Sequence, residues 1–219
     1  MGFFDDLKRY LDVNHSVVLT ALVQHIWLAL VPVAIAFVVS IPLGWAVVRF
    51  GWLRNPLLTL SSIVYTIPSL ALLFLMPLVL GTSILDPLNV VIALALYSIA
   101  LLVRTTSDGL ASIDDGIVQA ATAMGYKPVR RFFGVELPLA LPVVLAGLRV
   151  ATVANVSLVS VAALIGVGGL GQLFTRGFQL SYAPPTVVGL VLVVALAFVL
   201  DLLIVLAGRA LTPWDRVSR

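Results

Sequence analysis

Long stretches without Asp, Glu, Lys or Arg alternate along the chain with short charged segments. The apolar runs are 20–48, 56–85, 87–103, 137–165 and 183–208, interrupted only by Arg149 and Asp201. Crossing about 30 Å of hydrocarbon takes about 20 helical residues. Each run therefore predicts a membrane helix, five in all. The second run ends at a turn around Gly81, Thr82 and Ser83. The third starts near Ile84, with Asp86 and Pro87 in its first turn, where an acid and a proline both suit a helix N-terminus. Closed membrane barrels need alternating segments of about ten residues, and none is present. The fold class is all-α, with residues 1–19 as an N-terminal extracytoplasmic or interfacial segment, 20–211 as one transmembrane domain and 212–219 as a tail.

Composition agrees. Of 219 residues, 61% are hydrophobic and 11% charged, where soluble domains average roughly 25% charged. Mean hydropathy is +1.15. Net charge is only +3 and the cations are scattered, so the basic pI of about 9.6 does not point to nucleic acid. There is no cysteine. His15 and His25 stand apart from any carboxylate cluster, so neither a metal nor another cofactor is expected. Asp5 and Asp6 occupy the place where a signal peptide has its basic region, and the apolar run that follows is too long for a cleaved signal. It is expected to stay as a membrane helix. Phe3, Phe4, Leu7, Tyr10 and Leu11 recur at helical spacing, which fits either a short interfacial helix or a frayed tail.

Orientation follows the basic residues. Arg49, Arg54, Arg104, Lys127, Arg130, Arg131, Arg209, Arg216 and Arg219 fall on one side; Lys8, Arg9 and Arg176 fall on the other. Nine against three places the loop 104–137 and the C-terminus in the cytoplasm and the N-terminus outside.

That loop is the one long hydrophilic stretch between spans. Ser112 or Asp114 can cap a helix running to about Met124, Gly125 suits the left-handed position that ends helices, and Pro128 follows. Small Ala120 and Ala121 would let another protein's surface approach closely. Gln119, Ala120, Ala121, Gly125, Val135, Glu136, Leu137 and Pro138 resemble, in order and spacing, the EAA loop of binding-protein-dependent ABC importer permeases. Gln119 departs from the usual Glu, keeping length and hydrogen bonding but losing a charge. Tyr65 through Ala71, Tyr97 through Arg104 with Gly109 and Leu110, and Ala163 through Gly171 are similar to the osmoprotectant subgroup, which imports glycine betaine, carnitine and choline. The resemblance covers roughly residues 20–213.

The resemblance implies a type I ABC importer permease-like bundle in the cell membrane of a prokaryote. Its cytoplasmic loop would dock into an ABC ATPase, an extracytoplasmic binding protein would deliver substrate, and a second permease, identical or similar, would complete the path. No GxxxxGK[ST] is present, so ATP chemistry belongs to the ATPase and this chain is not an enzyme. The alternatives are a methionine-type permease, or a stand-alone carrier or channel.

Further residues have two readings each. Gly166, Gly168, Gly169 and Gly171 spell GxGxxG, but a nucleotide site would need a preceding strand and an acid about 20 residues on. They form instead an extracellular turn, either a gate or a tight re-entry. Arg149 and Asp201 both lie roughly 15 Å from the cytoplasmic ends of their spans by helical rise. Charges at that depth are costly. They are expected either to pair or to serve separately, Arg149 snorkelling and Asp201 lining a wet cavity. Asn155, Ser157 and Ser160 either line a path or pack helices. A quaternary ammonium is held by aromatic faces; Trp27, Trp45, Tyr65, Tyr97, Phe174, Phe178 and Tyr182 are available, without naming a cage. Pro32, Pro42, Pro68 and Pro77 are expected to kink their helices.

Overall fold

The computed structural model describes residues 2–216, without the side chains of Asp215 and Arg216. Arg216 and Arg219, which enter the charge count, thus fall outside the described side chains. Every element among the described residues is helical: α1 (Phe3–Arg49), α2 (Gly51–Thr66), α3 (Ser69–Leu80), α4 (Pro87–Ala111), α5 (Asp115–Ala123), α6 (Pro128–Arg131), α7 (Leu137–Ala162), α8 (Gly171–Gln179) and α9 (Ala183–Leu211). A π turn, Phe132–Glu136, joins α6 to α7. Four helices are long and apolar enough to cross a membrane, and five if the bent α2–α3 pair counts as one, matching the five spans expected.

α1 is 47 residues long, roughly 70 Å at the α-helical rise and so more than one crossing. It breaks at Asn14 (φ −113°, ψ 16°), whose side-chain amide donates to the Tyr10 carbonyl at 3.0 Å. Side chains of this type compete with the helical ladder. The stretch before Asn14 is helical rather than frayed. Tyr10 is buried and meets the Tyr182 ring edge-on at 6.3 Å, while the Tyr182 hydroxyl donates to the Asp6 carbonyl at 3.4 Å. Pro32 and Pro42 stay within helical backbone.

The second run is where the expectation of a merely kinked span fails. α2 stops at Thr66, α3 restarts at Ser69, and the two are bent by 104°. Pro68 (φ −57°, ψ 132°) is the cause. It has no N–H to give the preceding turn and drives Ile67 out of the helical region. α3 has 12 residues, roughly 18 Å of helix, which is too short to cross alone. Gly81 (φ 66°) closes it by donating to the Pro77 carbonyl. α4 begins at Pro87 under an Asp86 cap, the carboxylate accepting from the Leu88 N–H at 2.9 Å.

Two compact units emerge. The first comprises Met1–Ile35, Ile67–Leu96 and Thr152–Asp201; the second comprises Ala36–Thr66, Tyr97–Ala151 and Leu202–Arg219. The first is centred on Tyr10, Val18, Ala21, Leu170, Leu173 and Val188. The second has one core of Leu110, Phe132, Ala140 and Val144, with Trp45 and Leu137 against it, and another of Ala36, Leu102 and Ala151. Small residues admit close helix contact, as membrane packing favours: a Cβ on Gly147 would fall 2.4 Å from the Thr105 hydroxyl. α9 leaves Val191, Val194 and Phe198 exposed, side chains suited to lipid.

Candidate coupling loop and membrane-embedded polar groups

α5 is built as its sequence suggests. Asp114 caps it, its carboxylate accepting from the Gly116 N–H at 2.7 Å. At the other end Gly125 sits at φ +85°. The Gly125 N–H donates to the Thr122 carbonyl at 2.9 Å and the Tyr126 N–H to the Ala121 carbonyl at 3.1 Å. That pair of bonds is the Schellman motif, which needs a residue comfortable at positive φ. Pro128 then opens α6 at its first turn.

The two alanines part company. Ala120 and Gln119 are exposed, whereas Ala121 is 1% exposed and packs into its own chain. The surface that α5 offers outward is Ile117, Gln119, Ala120, Ala123 and Met124. Ala121 thus packs beneath that surface. Leu137 and Pro138 are half-buried where α7 begins, Leu137 against the Leu110–Phe132 core.

One feature of the loop went unread in the sequence. The Arg131 Nε donates to a Glu136 carboxylate oxygen, and the same guanidinium reaches the Thr122 hydroxyl at 2.7 Å. The side chains of Arg131 and Glu136 are 17% and 11% exposed. Thr122 belongs to α5 and Glu136 directly precedes α7, so one arginine links the loop helix to the start of the span. An Arg followed by Glu five positions on is no signal in an α-helix, where such residues face different sides. The π turn brings them together.

The glycine turn is equally specific. Gly166 and Gly169 take positive φ (86° and 91°). Gly171 lies against α7, where a Cβ would come 2.3 Å from the Ser160 carbonyl oxygen, and a Cβ on Gly168 would collide with the Gln24 side chain. α1 holds the turn. The Gln24 side-chain oxygen accepts from the Gly169 N–H at 3.2 Å, and His25 Nδ1 accepts from the Leu170 N–H at 3.1 Å. The His25 Nε2–H donates to the Val156 carbonyl at 2.9 Å. A backbone N–H can only donate and a carbonyl can only accept, so this geometry defines the Nε2–H tautomer. His25 is fully buried. Its place in an otherwise apolar run was the available signal, since a polar residue at membrane depth needs a partner. The short helix α8 follows the turn.

Asn155 is buried and its amide donates to the Ala29 carbonyl at 3.4 Å, so it joins α7 to α1. Ser157 is exposed, and Ser160 is half-buried with its hydroxyl lacking a hydrogen-bond partner among the described residues. Arg149 is exposed on α7 and Asp201 half-buried on α9. Of the aromatics, Trp45 packs on Phe132 at 5.5 Å and Tyr65 meets Tyr97 edge-on at 6.0 Å. Phe178 is exposed, and with Phe174 it borders a cavity of about 990 Å³. No group of His, Cys, Asp or Glu among the described residues could hold a metal.

Residues 36–213 match the family described as the binding-protein-dependent transport system inner membrane component. The chain is 37% identical to the osmoprotectant import permease protein OsmW of Salmonella typhimurium, over 95% of this chain and 98% of that protein. It is 32% identical to the glycine betaine/carnitine/choline transport system permease protein OpuCD of Bacillus subtilis, over 97% and 92%. A solved structure of the MetNI methionine ABC transporter in an inward-facing conformation shares the fold, with a TM-score of 0.82 at 22% identity over 89% of this chain and 96% of that one. The chain therefore belongs to the family of binding-protein-dependent transport system inner membrane components, as a multi-pass, non-enzymatic permease subunit that works with a substrate-binding protein and a separate ATPase.

Proposed function

We propose that this chain is the permease subunit of an ATP-driven importer of osmoprotectant quaternary amines such as glycine betaine, carnitine or choline. The substrate class rests on what the relatives at 37% and 32% identity are named for. The loop is the observation that carries the mechanism. α5 is a capped, closed helix with an exposed face, tied by Arg131 to the start of α7. Such a helix can dock on an ATPase and pass its movement to the span. Gln119, Ala120 and Gly125 form and frame the docking surface, Ala121 holds it from beneath, and Leu137 and Pro138 receive the motion.

The nine-to-three distribution of cations supports a cytoplasmic loop and C-terminus with the N-terminus outside. Five spans with one docking helix support a pair of permeases, identical or similar, on two ATPases. ATP-driven closure draws the docked helices together and opens the path outward, and hydrolysis resets it. The glycine turn, with Gly166 and Gly169 at positive φ, is the hinge of the outer gate in this cycle. Ser157, exposed on α7, faces the path; Asn155 and Ser160 support it.

The test is reconstitution of the chain with its ATPase and binding protein in proteoliposomes. ATP-dependent uptake of labelled glycine betaine, carnitine or choline is expected, and so are crosslinks to the ATPase from cysteines at Ala120 or Met124. Uptake by the chain alone, without ATPase, would assign it to the carriers instead.

A further inference from the structure

Ser61, Ser62, Tyr65 and Thr66 of α2 and Ala100, Leu101 and Arg104 of α4 line a cavity of about 340 Å³. Tyr97 stands one helical turn before Ala100 and Leu101, and Arg104 one turn after, so all lie on one face of α4. The rings of Tyr65 and Tyr97 are inclined at 78° with centroids 6.0 Å apart. Tyr97 is 8% exposed and Tyr65 56%, so Tyr65 borders the cavity and the buried Tyr97 ring props it from the side.

The chemistry of the lining is selective. The Ser62 hydroxyl donates to the Leu58 carbonyl at 2.9 Å and the Thr66 hydroxyl to the Ser62 carbonyl at 2.7 Å. With those protons engaged, the oxygens turn lone pairs and not donors toward a guest. A quaternary ammonium has no hydrogen to donate, and it is drawn by lone-pair oxygens and ring faces. Arg104 supplies the opposite half. Among the described residues no ion pair engages it, and helical side chains lean toward the helix N-terminus, here toward Tyr97. Its forked donors match a carboxylate.

Resting on the function proposed above, we propose that the Tyr65–Tyr97 corner and Arg104 form a transient seat on the permease for zwitterionic ammonium carboxylates. The Tyr65 ring, held by Tyr97, takes the ammonium end and Arg104 the carboxylate. This makes Arg104 a specificity residue: glycine betaine and carnitine carry the carboxylate that it reads, and choline does not.

The test uses the complete reconstituted complex and measures labelled glycine betaine and choline uptake side by side. Tyr65→Leu should lower uptake of both about tenfold, within the range of a lost cation–π contact, while Tyr65→Phe, which keeps the ring, retains it. Arg104→Gln should lower betaine uptake about tenfold and change choline uptake by less than about twofold. Arg104→Lys should recover part of the betaine uptake. ATP hydrolysis stimulated by the loaded binding protein should persist in each variant and mark it as folded and docked. Wild-type rates in Tyr65→Leu, or an unchanged betaine-to-choline ratio in Arg104→Gln, would overturn the seat alone. A wild-type complex that carries neither solute would overturn the functional assignment itself.

Discussion

Gly125 combines a backbone at φ +85° with open space around its α-carbon: a Cβ built there meets no atom within 4 Å. A side chain at this position is therefore opposed by conformation alone, at about 1–2 kcal/mol for an L-residue in the left-handed region. Asn tolerates that region and β-branched residues do not. Gly125→Asn should be nearly neutral in detergent melts, and Gly125→Val should be destabilised by about 2 kcal/mol at the loop. With the docking role proposed for the loop, ATP-driven uptake should fall further in Gly125→Val than the melt alone accounts for, while the protein still inserts. Equal uptake in the two variants would deny the loop its transmitting role. Gly125 could be read from sequence because its cause is local: a cap residue, nine helical residues and a glycine. The partners of His25 could not. The Val156 carbonyl and the Leu170 N–H lie 131 and 145 positions away, and a polar residue in an apolar run signals that partners are needed without naming them.

At the scale of elements the same division holds. The caps at Asp86, Asp114 and Gly125 and the span lengths follow from near neighbours, so the pattern of the chain contains them. The break at Pro68 is partly legible, because a proline announces an interruption without saying whether the helix kinks or restarts at 104°. The π turn Phe132–Glu136 leaves no mark in the hydrophobic period, and with it the Arg131–Glu136 pair was hidden. That pair has a measurable consequence. Removing one member of a nearly buried ion pair strands the other, at about 3 kcal/mol. Arg131→Met should therefore lower the melting temperature clearly. Adding Glu136→Gln should restore much of it by removing the stranded charge. Neither variant rebuilds the link to Thr122, so both should hydrolyse more ATP per solute carried than wild type. A double variant with wild-type stoichiometry would show that Arg131 serves stability and nothing more.

Across the whole molecule, a membrane protein tolerates charges within its spans only for a reason. Arg149 of α7 and Asp201 of α9 are the two charges inside the apolar runs, and each costs roughly 2.5–3.5 kcal/mol at the centre of a span if left to lipid. The sequence admits two expectations, that the charges neutralise one another or that each serves separately, and charge exchange distinguishes them. If the two neutralise one another, either charge reversal alone sets like charges together, so Arg149→Asp and Asp201→Arg should each lose folded protein in membranes. The doubly exchanged protein should recover it, because the attraction is symmetrical in the two positions. Recovery of uptake with recovery of folding would mean that the pair is a lock and nothing else. Recovery of folding without uptake would add that the cycle needs a positive charge on α7 specifically, where Arg149 is exposed. No recovery of either would separate the two residues, leaving Arg149 to the cytoplasmic interface and Asp201 to a hydrated cavity.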